Sequence, residues 1–330
     1  MKRLKHAGLA AFTAAALCLT AAAGRAAPAP GAQLALAKAA LQNGEADRAL
    51  ALLGDLARPG GPAEAYNLRC RVELTLEDWD RAVGDCQQAV RLDGQNSVDH
   101  MWLGRALGEK AQRASFLTAY SLGKQVRQQF ELAVQLDPRN GPALADLGEF
   151  YDSAPGFMGG GMDQAEAVAA RLDRIDPERA CALRAEIAEQ NKDYGSAERD
   201  LKQAIAVSPH PALAWMELAS FYRRRSRWAE MESAVRGGQS AAGRDKRAGV
   251  ALYNGAAVLI RANRDPERAI RMLEDYLAGG SKSEEAPAFV AYTRLARLEM
   301  QQGDPAAAGR DRAAALALAA EYKPARDLQH

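Results

Sequence analysis

Few side chains in this sequence combine the types and spacings that do chemistry. His100, His210 and His330 are scattered, without the His-x-x-x-His spacing that puts two imidazoles on one helical face, and no two cysteines are close enough for a zinc knuckle. No serine sits in a Gly-x-Ser-x-Gly elbow. The run Gly159-Gly160-Gly161 is the strongest hint of ligand chemistry, because glycine amides ahead of a helix can cradle a phosphate. Its context points elsewhere. A nucleotide loop follows a strand and ends in Gly-Lys-Ser/Thr, whereas here Met162-Asp163-Gln164 follow and Asp163 reads as a helix N-cap. Phe157 and Met158, apolar on that same loop, either fold back over the core or contact a partner. Acids are plentiful but read as solvated helix faces, so no catalytic pair, metal site or cofactor is expected.

The elements that carry these residues are helices in pairs. The clearest unit runs from Glu178 to Pro209, with small or apolar residues at Cys181, Ala185 and Ala188, a turn at Lys192-Asp193-Tyr194-Gly195, then Ala197, Leu201 and Ala204. Two antiparallel helices approach closely only where small side chains face each other, so such residues recur at fixed places. In the first helix of each unit that place holds Ala37, Cys70, Gly104, Gly148, Ala185, Ala219, Ala257 and Ala296. In the second it holds Ala49, Ala82, Ala165, Ala197, Ala269 and Ala308. Units beginning near Gln33, Ala63, Ser97, Gly141, Glu178, Pro211, Gly249 and Pro287 amount to about eight repeats of roughly 34 residues, above the minimum of about three for a stable stack. Residues 27–330 therefore read as one α-solenoid, with insertions near 111–128 and 153–162. The first insertion is expected to lengthen helices, and Gly237-Gly238 to Arg244 is the expected soft joint.

In aggregate this pattern resembles the tetratricopeptide repeat superfamily, including its secreted bacterial members of undefined role. The resemblance implies an all-α fold, a right-handed superhelical solenoid of helix-turn-helix repeats with a concave groove, and a role in holding a peptide or protein. Carried over place by place, the groove-lining positions of the first helices are Asn67, Arg71, Trp102, Arg105, Asp146, Glu149, Glu186, Glu189, Met216, Glu217, Arg223, Arg224, Asn254, Arg261, Arg294 and Arg297. Their order gives a basic start, an acidic middle and a basic end, which would steer a partner of complementary pattern, unless these are simply solvated helix faces. Asn67 and Asn254 resemble one place of the family's carboxylate clamp, but its lysines do not recur, so that ligand is not inferred. An accessory role in envelope or polysaccharide assembly is the alternative, favoured by aromatic platforms in the groove, for which Trp102 is the one strong candidate. An enzyme would need distant acids to converge in a closed pocket, and an open groove makes it the least favoured class.

The first residues read as a signal peptide over 1–26: Lys2, Arg3 and Lys5, an uncharged Ala-rich stretch from Ala7 to Ala23, then small residues ending near Ala26. The stretch is short of the roughly 20 residues of a spanning helix. Leu17 before Cys18 departs from a lipobox. No later apolar run is long enough to cross a bilayer, so no stable membrane insertion is expected after cleavage and the location would be periplasmic or secreted. Of 43 basic side chains four lie in that segment, with none of the 42 acids, so the remainder is slightly acidic and has no general attraction for nucleic acid. Cys70, Cys86 and Cys181 remain. Three thiols make no disulfide framework but permit one bridge, for which Cys70 and Cys86 are the candidate pair; the alternative is two buried thiols packed as small apolar residues.

Overall fold

The computed structural model describes residues 29–245 and 247–328, so the segment read as a signal peptide and His330 lie outside the described residues. Helix starts are marked by short polar side chains. Asp78, Asn96, Asn140, Asp176, Asp193, Asp265 and Asp304 each accept a hydrogen bond from a backbone N–H of the following turn, satisfying donors that have no intrahelical partner.

Eight helix pairs follow one another. The first helices are α1 (Pro30–Gln42), α3 (Ala63–Thr75), α5 (Ser97–Ala111), α7 (Gly141–Ser153), α9 (Pro177–Gln190), α11 (Ala212–Arg224), α13 (Gly249–Ala262) and α15 (Ala288–Gln301). The second helices are α2 (Ala46–Gly54), α4 (Trp79–Leu92), α6 (Phe116–Leu136), α8 (Met162–Leu172), α10 (Tyr194–Val207), α12 (Trp228–Arg244), α14 (Pro266–Ala278) and α16 (Pro305–Leu318). A short α17 (Lys323–Arg326) closes the chain, and the described residues contain no strand. The fold is an all-α helical-repeat solenoid. Its recurrent small residues are buried at the helix crossings: Ala37, Cys70, Ala49, Ala82, Ala165, Ala197 and Ala219 have no measurable exposure. At Gly104 an added Cβ would lie 2.4 Å from the Phe130 ring, and at Gly148 it would lie 2.3 Å from Leu183. Large side chains have moved into the space the missing side chain leaves.

Two local expectations change and a third, the lengthened helix of the third unit, holds. Gly237 and Gly238 are not a joint, because α12 runs unbroken through them. A Cβ there would meet Trp215 at 2.9 Å and Met216 at 2.4 Å, so these glycines serve close helix approach. Asp163 is not the N-cap of α8; Gly161 is, and no side chain caps it. The extra residues of the third unit lie in α6, which at 21 residues is the longest helix described.

The larger difference is global. The stack is not open: its first and last units meet. Phe289, Ala315, Ala319, Tyr322 and Ala325 share one core with Ala37, Leu41, Ala49, Leu68 and Val72, and Phe289 packs edge-on to Tyr322 with centroids 4.8 Å apart. Across the seam Arg71 grips Glu284 with two hydrogen bonds (2.8 and 2.5 Å), the Ala320 N–H donates to Asp47 at 2.8 Å, and Tyr322 donates to Glu77 at 3.3 Å. The solenoid is therefore a ring.

On the side of the helices away from the lumen, Glu73 of α3 stands near Asp85 of α4, and Glu299 of α15 near Asp311 of α16. Glu73 and Glu299 are 5% and 8% exposed, and each has a carboxylate oxygen without a partner. Burial, reinforced by Asp85 and by Asp311 respectively, pushes both glutamates up to about 8 from an ordinary value of 4.5. Between about pH 5 and pH 8 the folded chain holds protons that the unfolded chain has released, so stability falls as pH rises through that window. The double variant Glu73→Gln, Glu299→Gln should flatten that fall and raise unfolding free energy at pH 8 by roughly 1–3 kcal/mol, measured by urea titration at both ends of the window. A parallel pH slope in variant and wild type would contradict the assignment.

Candidate functional site

The first helices turn their free faces inward, and the ring closes these faces around a lumen. Two joined cavities occupy it, of about 820 and about 450 Å3, sharing Tyr253, Arg261, Glu285 and Arg294 in their walls. The larger reaches Arg71, Trp79, Trp102, Arg105, Asp146, Glu149 and Tyr322, and the smaller is walled by Glu186, Glu189, Glu217, Arg224 and Asn254. Side chains from the second unit and from the last thus share one central space.

Several of the groove positions inferred from the sequence are already engaged with one another. Arg105 makes a two-pronged contact with Asp146 (2.6 and 3.0 Å), and Arg224 makes one with Glu189 (2.9 and 2.6 Å). Arg71 is committed to Glu284 at the seam. Both Arg71 and Arg105 also lie over the Trp102 ring, 4.8 and 4.7 Å from its centroid. That ring is covered by guanidinium groups and offers no open stacking platform.

Other groove positions make no such pair. Glu149, Glu186 and Glu217 have no ion-pair partner among the described residues, nor do Arg261 and Arg294. The three acids line the lumen with solvent-exposed side chains and the ring's walls on several sides. Withdrawal from bulk water, followed by the neighbouring Glu149 and Glu217 charges, raises Glu186 to about 8. Withdrawal from water also raises Glu217 to about 7, with Glu178 adding to it, and raises Glu149, with Asp146 adding to it. Opposite in sign, Arg294 lies over the Tyr253 ring at 4.4 Å. Arg223 has a buried Nε with no acceptor, and burial together with the Arg261 and Arg224 charges lowers its pKa.

Three groove positions line neither cavity: Asn67, which is 4% exposed and buried beside Asp99, Arg223, and Arg297, which is exposed on α15. On the fourth unit's loop, Met158 packs onto α6, where a Cβ on Gly123 would be 2.1 Å from its methyl, while Phe157 remains 61% exposed. Cys70 and Cys86 are joined as a disulfide between α3 and α4, with Cα atoms 5.4 Å apart, and Cys181 is a buried free thiol. Among the described residues no cluster of metal-ligating side chains occurs, and no helix is long and apolar enough to cross a membrane.

The sequence reading missed Glu284 and Glu285, which stand on the loop between α14 and α15, and Glu77, Trp79, Tyr253 and Tyr322. The loop is held by Tyr276, whose hydroxyl donates to the Ala286 carbonyl and accepts from the Ser283 N–H. The one available signal was Gly279-Gly280 followed by two adjacent acids before Pro287, which mark an exposed turn carrying charge.

No family model and no curated protein matches this chain. Solved structures do. Yeast Tom70 superposes with a TM-score of 0.57 at 16% identity, over 92% of this chain and 64% of that one. TTC0263, a thermophilic tetratricopeptide protein of Thermus thermophilus, gives 0.48 at 21% identity over 58% of this chain and 98% of its own. A tetratricopeptide repeat protein from Parabacteroides merdae gives 0.47 at 13% identity over 82% and 98%. With the helix pairs, the buried small residues at their crossings and the Tom70 superposition, the chain has the fold of the tetratricopeptide repeat proteins.

Proposed function

We propose that this protein is an exported interaction scaffold that holds a peptide or protein segment inside its ring. The observation that carries the reading is the set of lumen-facing ionisable side chains without ion-pair partners among the described residues, the carboxyls of Glu149, Glu186 and Glu217 on one stretch of wall and the guanidinium groups of Arg261 and Arg294 on another. Ionisable groups that face the lumen without a counter-charge are free to pair with a bound segment of complementary pattern and to set its register. A cavity of about 820 Å3 suits a short extended segment better than a folded domain. The signal-type amino terminus and the Cys70–Cys86 bond support a periplasmic or secreted location, where disulfides persist. The covered face of Trp102 gives no support to carbohydrate stacking.

The test is a photo-cross-linking amino acid placed at Asn254, inside the lumen, or at Arg271, exposed on the second helix α14 and in neither cavity wall, in the envelope of expressing cells. Adducts formed from position 254 alone, and weakened roughly tenfold or more by Arg261→Glu with Arg294→Glu, are expected. Identical adducts from both positions, unaffected by the charge reversal, would overturn the reading. A second reading, catalysis in the lumen, draws on Glu186 and Glu217, since carboxyls that keep a proton near neutrality suit acid chemistry. In that case Glu186→Gln would leave the adduct in place and abolish its turnover.

A further inference from the structure

The three most exposed large apolar side chains of the described residues come from the two irregular units, two at the start of α6 and one on the loop seated against that helix. Phe116 and Leu117, in the first turn of α6, are 75% and 78% exposed, and Phe157 of the glycine loop is 61% exposed. Phe157 pairs with Tyr120 of α6, ring centroids 6.0 Å apart. This prominence is built. Gly123 admits the Met158 methyl, and Gly159, at φ +92°, leaves room for the Arg127 guanidinium, which would lie 2.0 Å from a Cβ there. The loop is thereby seated on α6 with Phe157 turned out.

We infer that this tip is a peripheral membrane contact for the anionic surface of a lipid bilayer. Charge supports that occupant. The first turn of α6 contains no acid, and Lys124 and Arg127 follow Phe116 and Tyr120 along one helical face. Lys124 lies over the Tyr120 ring at 4.5 Å and has no carboxylate partner among the described residues. The nearby acids Asp80, Glu109 and Glu131 are taken by Lys110, Arg113 and Arg127 respectively. At 1.5 Å per residue Lys124 stands roughly 12 Å along the axis from Phe116, a separation that lets apolar tips enter the acyl boundary while the ammonium stays among headgroups. Extent supports it too. Three exposed side chains, two in the first turn of α6 and one on the adjoining loop, interspersed in α6 with the polar Ser115, Thr118 and Ser121, fall well short of the roughly 800 Å2 per partner of a stable protein interface. A soft apolar medium needs no matching pocket.

The test is co-sedimentation of the mature chain with vesicles of phosphatidylcholine alone or mixed with phosphatidylglycerol. Binding is expected, stronger with the anionic lipid, and weakened by roughly tenfold for each of Phe116→Ser, Leu117→Ser and Phe157→Ser. Lys124→Glu should remove the preference for phosphatidylglycerol. These positions are exposed, so an unchanged circular dichroism spectrum confirms the fold. Failure of the wild type to sediment with either vesicle, or equal binding by the triple variant, would overturn the inference. So would self-association in sedimentation velocity that the triple variant abolishes, because the tip would then be a contact between two copies of this chain.

Discussion

Replacing Gly44 by alanine is expected to open the ring, while the same replacement at Gly303 leaves it closed. Both glycines occupy the same kind of turn between paired helices, with φ +71° and φ +82°. The left-handed conformation by itself does not require glycine, since Glu77, Lys192 and Ser226 hold φ between +55° and +63° in the equivalent turns. Losing glycine there should therefore cost about 1–2 kcal/mol at either site. What distinguishes Gly44 is its neighbour. A Cβ on it would lie 2.2 Å from the backbone nitrogen of Ala288, at the start of α15, whereas nothing lies within 4 Å at Gly303. Backbone of a packed helix cannot give way as a side chain can, so the seam must part, at a total cost of roughly 2–4 kcal/mol. Parting removes Arg71 from Glu284, Asp47 from the Ala320 N–H and Glu77 from Tyr322. Small-angle scattering should show a larger radius of gyration for Gly44→Ala than for wild type or Gly303→Ala, with helical content retained. Equal radii for all three would mean that the seam is not held at Gly44.

Removing the Cys70–Cys86 bridge should produce an effect of similar size by another route. The bond closes a loop of 16 residues between two antiparallel helices, and in the loop-entropy account a cross-link of that span is worth about 3 kcal/mol. Cys70→Ala with Cys86→Ala keeps small apolar side chains at two positions with no measurable exposure, so the loss reports the bond and not a buried hydroxyl. A fall in melting temperature of roughly 5–10 °C is expected. In a repeat stack each unit contacts mainly its neighbours, so the loss should be local. Hydrogen exchange should rise first in α3 and α4, and then at the seam, because Arg71 follows Cys70 in the same helix. Unchanged exchange in α3 and α4 after reduction would contradict this role.

Much of the helical architecture was legible because its cause is local and repetitive. Alanine, cysteine or glycine at one place per helix is what close crossing demands, and Cys70, Ala185 and Ala257 mark it whatever else the sequence does. Inward-facing positions were legible for the same reason, since the helical period assigns Arg105, Glu186 and Arg261 to one face. The exceptions follow physical reasons too. Asn67 shares that period, but the neighbouring unit packs over it, and Arg297 lies at the edge of the inward stripe. Gly237-Gly238 suggested a joint because glycine weakens an isolated helix; the Trp215 and Met216 side chains that need its missing Cβ come from another helix.

By itself the sequence determined that the chain pairs its helices, stacks the pairs and turns a charged face inward, since these follow from side-chain size and periodicity within each unit. Only the tertiary structure decided that the stack closes. Closure is the sum of small rotations over eight units, and it is secured by contacts such as Arg71 with Glu284, 213 residues apart, that no local pattern encodes. The same summation turned a groove into a lumen and determined which groups found partners: Arg105 met Asp146 and Arg224 met Glu189, while Glu186, Glu217 and Arg261 were left facing the lumen.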